Sequence, residues 1–394
     1  MTTGIQSEIT SYLKNQSSSM FALLKELVLI QSGSDNKRGV DKVAQRLESA
    51  VRDLPMTLEV VEQQMAGNHL LLRSKACAAA ESQALMVGHM DTVFPKDTDF
   101  NWYREDEYHA YGPGVADMKG GLVAGVFALK ALGRVGLLDR LPLTCVFNSD
   151  EEIGSRTSIE LIQSEASQSA FAFVLEAGGL SGGIVTGRKG NLIIELMVEG
   201  KAGHAAFAGP DKASAILEMA HKIIAFEALN DFGRGITVNV GKIEGGIGAN
   251  TVSDLASAQI DLRYTGPQDL KDIEKKVFGI TESTQTPGTM SRMDVLSGRP
   301  PMEKSAAARR LFEIVKKVAE QSGDTVTDEF RHGVSDANFI ADLGIPVLDG
   351  LGPVGGNDHS RNEFMVKESL LKRTTLLANA LPACWEAYGP HRND

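Results

Sequence analysis

The chain has 394 residues, too many for one ordinary core, so two domains are expected, each large enough to fold without staples. Its 51 acidic residues outnumber 40 basic ones for a net charge of -11, which argues against a nucleic-acid or anionic-membrane surface and leaves any anionic ligand to locally placed arginines. The three cysteines, Cys77, Cys145 and Cys384, have no paired spacing, so they form no disulfide framework or thiolate metal site and read as small apolar fillers.

The opening MTTGIQSEITSYLKNQ lacks the basic start and apolar stretch of a signal peptide, and no run approaches the ~20 apolar residues of a membrane span, so a cytoplasmic location is expected. Residues 17–31 and 39–52 read as helices, 84–87 (ALMV) as a strand and 119–133 as a helix. LTCVF (143–147) and FAFVLE (171–176) read as strands, with SIELIQSEA a helical crossover between them. This alternation predicts an α/β domain with a mixed, mostly parallel sheet flanked by helices, whose ligand site lies beyond the carboxyl ends of the strands. From about residue 190 the texture changes. NLIIELMVEG is a strand, 211–230 a helix, ITVNVGKIE and LASAQIDLRY strands, 267–283 a helix and MSRMDVLSG a strand. The order β-α-β-β-α-β is that of a ferredoxin-like α+β sandwich inserted whole. Then 304–322 is helical, IPVLDGLG resumes the first style and 367–388 closes as a helix. The domains are therefore set at 1–188 with 299–394, and an inserted 189–298.

Strand ends in the first domain run into metal-ligand residue types: GHMDTV (His89, Asp91), NSDEEIGS (Asp150, Glu151, Glu152), VLEAGG (Glu176) and GGNDHSRNEF (Asp358, His359). Asp117, in GPGVADMKGG, stands just ahead of a helix. Singly, each acid is more often a cap or a solvated loop residue than a ligand, but so many coincidences are hard to dismiss. Imidazole and carboxylate without thiolate suit zinc, cobalt or manganese in a catalytic site. His89, Asp117, Glu152, Glu176 and His359 bring three negative charges, which overbalance one divalent ion and suit two. Asp117 is the natural bridge, and Asp91 would orient the imidazole of His89 from behind. Glu151 and Glu152 point in opposite directions in an extended segment, so one of them is free to act as a base.

The strings GHMDTV, YGPGVADMKGG, NSDEEIGS, the lone Glu176, GHAAFAGP and GGNDHSRNEF, in this order, resemble the successive motifs of the M20 metallopeptidase family, most closely its glutamate carboxypeptidase branch. The resemblance implies a zinc exopeptidase-like catalytic domain with an inserted lid and dimerisation domain. It implies that His89 and Glu176 hold one zinc, that Glu152 and His359 hold the other, that Asp117 bridges them and that Glu151 is the general base. It also implies a cis peptide between Asp117 and Met118. His204, in GKAGHAAFAGP, would stabilise the oxyanion, and Asn250 and Arg263 would bind the substrate carboxylate. Arg299, at the return hinge, is a further candidate, since a guanidinium clamps a carboxylate in two parallel hydrogen bonds.

The expected activity is metal-dependent cleavage of an amide bond in small N-acyl amino acids or short peptides with a free carboxylate, by a homodimer formed through the inserted domain. A deacylase of the acetylornithine or succinyl-diaminopimelate type shares the same metal core, and a non-catalytic binding protein on the same fold is the alternative from another class. GGIGAN and GLGPVGG lack the P-loop lysine and dinucleotide spacing, and GSRTS has no serine-nucleophile pattern beside it. His69, His109, His221, His332 and His391 show no ligand partners in sequence and read as structural or solvated.

Overall fold

The computed structural model describes residues 3–390, so His391 lies outside them. The chain divides into two compact units. Met1–Gly187, Lys304–Phe330 and Ser335–Asp394 form one, and Arg188–Glu303 with Arg331–Val334 the other. The strands of the two main sheets are, in chain order, β1 (Met56–Val61), β2 (His69–Ser74), β3 (Gln83–His89), β4 (Leu143–Asn148) and β5 (Ser169–Val174). They are followed by β6 (Gly190–Glu199), β7 (Thr237–Gly245), β8 (Leu255–Tyr264), β9 (Met290–Arg299) and β10 (Val347–Leu348).

The sheet of the first unit has the order β1-β2-β4-β3-β5-β10. β3 runs parallel to β4 and β5, and β5 to β10, while β1 and β2 are antiparallel at one edge. β3 and β4 are buried at every position, which is why they read as continuous apolar runs rather than alternating ones. From β3 the chain passes through helix Lys119–Arg134 to β4 on one side, then through helix Ile159–Ser167 to β5 on the other side of β3. That reversal opens a crevice at the carboxyl end of β3, where His89 stands. Helix Lys119–Arg134 is almost wholly buried and lies against helix Lys367–Tyr388. At Gly121 a Cβ would stand 2.0 Å from the carbonyl oxygen of Leu175, so only glycine lets this helix reach the chain beside Glu176. Cys145 and Cys384 fill the core, Cys77 is half-buried, and all three thiols are free.

The sheet of the second unit has the antiparallel order β7-β8-β6-β9. Helices Ala215–Glu227 and Pro267–Glu282 pack on it, giving the ferredoxin-like α+β sandwich. Burial alternates along β8, whose inward Ile260 and Leu262 meet Met219, Phe226, Ile273 and Val277. β7 and β9 are its edges.

The structure departs from the reading of the sequence in several places. Helix Thr3–Asn15, the antiparallel β1–β2 pair and the pairing of Gly183–Arg188 with Thr327–Arg331 were not anticipated. The helix expected over 211–230 is confined to Ala215–Glu227, because Ser214 caps it by accepting from the Leu217 amide. IPVLDGLG contributes only the two residues of β10, and β5 ends at Val174, so Glu176 lies past the strand. Among the described residues no helix is long and apolar enough to cross a membrane.

Candidate metal centre

Five side chains of the first unit converge at the crevice. His89 ends β3, Glu152 lies in the short helix Glu151–Ile153 after β4, Glu176 follows β5, Asp117 precedes helix Lys119–Arg134, and His359 lies in the loop between Gly356 and Phe364. They form two groups, His89–Asp117–Glu176 and Asp117–Glu152–His359, with the ligand atoms in each within 4.8 Å of one another. Asp117 belongs to both. Its Oδ1 lies 3.1 Å from His89 Nε2 and its Oδ2 3.1 Å from His359 Nε2. Glu176 Oε1 lies 3.7 Å from His89 Nε2, and Glu152 Oε2 3.4 Å from His359 Nε2. The Asp117–Met118 peptide is cis, and His359 is held at φ 59°, a left-handed conformation uncommon outside glycine.

Among the protein groups alone the charges compete. Burial disfavours the charged form of His89, but hydrogen bonds with Asp117 and Asp91 outweigh it and hold the imidazole well above its usual range. Hydrogen bonds with Asp117 and then Glu152 raise His359 to about 11. Burial acts against an ionised Asp117, yet its bonds to the two imidazoles pull it well below the carboxylate range. Burial and the nearby Asp117 push Glu152 up to about 8 and Glu176 well above its ordinary value. Divalent cations of borderline or hard character fit this donor set, since they would relieve the crowding of carboxylates and replace the protons the imidazoles hold.

The surrounding residues fix these ligands. Asp91, fully buried, has its Oδ1 3.3 Å from His89 Nδ1, whose nearer neighbour is the Asp91 carbonyl at 3.1 Å. Its carboxylate also accepts from the Glu151 and Glu152 amides, both at 3.2 Å, and from Ser34 Oγ at 2.6 Å. It therefore ties the imidazole to the loop that bears both glutamates. Glu151 is buried beside that cluster. Asp150 is not part of either group; its carboxylate accepts from Thr157 N and Oγ1 and from Ser158 Oγ, a loop-closing role. Asp358 likewise belongs to neither group.

Glu363 was not singled out from the sequence. Buried at 1% exposure, it accepts from Gly114 N (2.9 Å), Ala116 N (2.8 Å) and Asp117 N (3.0 Å), joining the His359 loop to the Asp117 loop. Burial, with Asp117 adding, raises its pKa to about 8, and the three amides act in the opposite direction. Its only sequence signal is an acid four residues after a ligand histidine, which by itself reads as a solvated loop charge.

The other candidates lie in the second unit. His204 is exposed, accepts from Ala206 N through Nδ1, and pairs with Thr251 on a short ladder. Asn250 is the adjacent residue, and its carbonyl accepts from Ala205 N. Both lie beyond the end of the sheet where Leu255 pairs with Glu199. Arg263 and Arg299 both pair with Asn191 at the opposite end. The Arg263 guanidinium donates to Asp261 and to the His332 carbonyl, and Arg299 is buried at 5% exposure. Within this unit, then, the structure brings His204 to Asn250 and Arg263 to Arg299, but not one pair to the other.

Two imidazoles and three carboxylates thus converge in an arrangement that could hold metal ions. A model of peptidase family M20/M25/M40 matches residues 85–383, and the chain belongs to that family. It is 26% identical over 363 residues to carboxypeptidase G2 of Pseudomonas sp. (strain RS-16), covering 91% of this chain and 87% of that one. It is 27% identical over 308 residues to succinyl-diaminopimelate desuccinylase of Marinobacter nauticus, covering 72% and 78%. Among solved structures it is similar in fold to the M20 family metallo-carboxypeptidase Sso-CP2 of Sulfolobus solfataricus, with a TM-score of 0.72, 20% identity, and coverage of 92% and 98%. Aminopeptidase PepT of Bacillus cereus matches with a TM-score of 0.73, 22% identity, and coverage of 93% and 98%.

Proposed function

We propose that the protein is a cytoplasmic, homodimeric two-zinc hydrolase that cleaves the amide bond of small N-acyl amino acids or short peptides carrying a free carboxylate. The observation that carries this reading is the sharing of Asp117 between two groups, each completed by one histidine and one glutamate. Zinc, with cobalt or manganese as alternatives, would be held by His89, Asp117 and Glu176 and by Asp117, Glu152 and His359, and when bound would acidify water and polarise the scissile carbonyl.

The remaining steps belong to the chain. Glu151, held beside the centre by the Asp91 carboxylate at its amide, takes the proton of the attacking water and returns it to the leaving amine. His204 donates to the oxyanion. Asn250 and Arg263 recognise the substrate carboxylate, and Arg263 is better placed than Arg299 because its guanidinium is part-exposed at 34%. The separation of His204 and Asn250 from Arg263 within the second unit supports a division of labour, in which the partner subunit supplies His204 and Asn250. A dimer surface is available on the second unit: Ile216, Leu217 and Ile224 are exposed on helix Ala215–Glu227, and Ile243 on edge strand β7. Pairing this edge across a two-fold axis would remove an unpaired strand and cover those apolar side chains.

A panel of N-acetyl, N-succinyl and N-glutamyl amino acids, assayed with zinc and with chelator, tests the reading. Hydrolysis abolished by the chelator and restored by zinc is expected. Its absence across the panel would favour a binding protein on the same fold, and preference for N-succinyl substrates would favour the deacylase reading.

A further inference from the structure

His69 opens β2 with no exposed surface, belongs to neither candidate metal group, and touches both ends of the segment that carries Glu151 and Glu152. Its Nδ1 lies 3.0 Å from Ser149 Oγ and its Nε2 3.1 Å from Thr157 Oγ1, the two residues that bracket that segment. Both hydroxyl protons are already committed. Ser149 Oγ makes a short bond to the Gly67 carbonyl, which can only accept, and Thr157 Oγ1 donates to Asp150 Oδ2 at 2.8 Å. The ring therefore bridges the two hydroxyls, one nitrogen at each. Burial lowers the pKa of this imidazole below its ordinary value, despite the opposing pull of Asp150.

We propose that His69 is a positioning residue, a two-armed bridge that closes the Ser149–Thr157 segment and so sets the aim of Glu151 and Glu152. The idea rests on the catalytic role given above to Glu151. In a site where reach must be held to a fraction of an ångström, releasing both arms should lower turnover on the order of tenfold to a hundredfold.

The test uses the full-length protein at saturating zinc. In His69→Leu, kcat on the panel should fall by about that factor with KM little changed; Thr157→Val, which releases one arm, should show a smaller fall, while Thr157→Ser, which keeps the hydroxyl, should stay near wild type. The double variant should be no slower than His69→Leu, which already releases the arm to Thr157. Independently of activity, hydrogen exchange of the 149–158 peptide in zinc-free protein should rise in His69→Leu and Thr157→Val but not in Thr157→Ser. Unchanged exchange and unchanged kcat in folded His69→Leu, or equal loss in Thr157→Ser and Thr157→Val, would overturn the proposal. If the wild type hydrolyses nothing, the assigned activity falls, and the exchange experiment still decides the role of His69.

Discussion

Whether His204 acts on its own metal centre or on its neighbour's can be decided by pairing two dead subunits. From Leu255, at the His204 end of the second unit's sheet, to Arg263 at the other end, β8 runs eight residue steps, or about 27 Å at ~3.4 Å each. A small amide substrate cannot span that gap, so one chain's His204 and Arg263 cannot serve the same molecule. The perturbation is to co-express Glu151→Ala with His204→Ala, each inactive alone. If His204 acts across the interface, each mixed dimer has one complete site of two, so purified mixed dimers should show roughly half of wild-type turnover. If His204 acts within its own chain, every site lacks one group and turnover stays at background. The assay is hydrolysis by purified mixed dimers, isolated through two different tags and checked for zinc. A silent mixed dimer, assembled and metal-loaded, would refute the reasoning.

Further outcomes follow from individual contacts. Glu151→Gln should lose turnover by several orders of magnitude while metal analysis shows wild-type zinc; loss of zinc would mean that Glu151 is a ligand. Glu363→Ala leaves three buried amides without an acceptor, a cost of about 3 kcal/mol or more, whereas Glu363→Gln forfeits one of the three bonds, about 1–2 kcal/mol. Thermal denaturation should rank Ala below Gln below wild type, and equal melting of the two variants would contradict the clamp. Ile224→Glu, on the exposed face of helix Ala215–Glu227, should shift the protein to monomers in sedimentation and, if sites are shared, abolish turnover without loss of zinc.

Part of the candidate metal centre was legible because His89, Glu152 and Glu176 each follow closely on an apolar run that reads as a buried strand, so side chains far apart in sequence could meet beyond one end of the sheet, whereas Asp117 and His359 lie in loops. The sandwich was legible for a related reason. The alternation along β8 and the helical spacing of 215–227 name one buried face each. What the sequence hid lies in residues whose meaning is set by a distant partner. Glu363 and His69 look like a loop acid and a stray histidine until the fold places three amides against one and two hydroxyls against the other. Nor does a strand's sequence say which of its ends a neighbouring loop will join. Asn250 and Arg263 stand thirteen positions apart in the chain and could be read as one carboxylate site, until the register sets them at opposite ends.

The way the chain enters and leaves the second unit has a consequence for how such proteins diversify. Arg188 and Met302 are joined by two backbone hydrogen bonds, Arg188 N to Met302 O at 2.9 Å and the reverse at 3.0 Å, so entry and exit lie side by side. None of the five metal-ligand residues falls between them. Arg331–Val334 also joins this unit, but the intervening stretch is otherwise a cassette that could lengthen, shrink or be exchanged, with new partners, new substrate ends and a new oxyanion donor tried out while the candidate metal ligands are inherited intact.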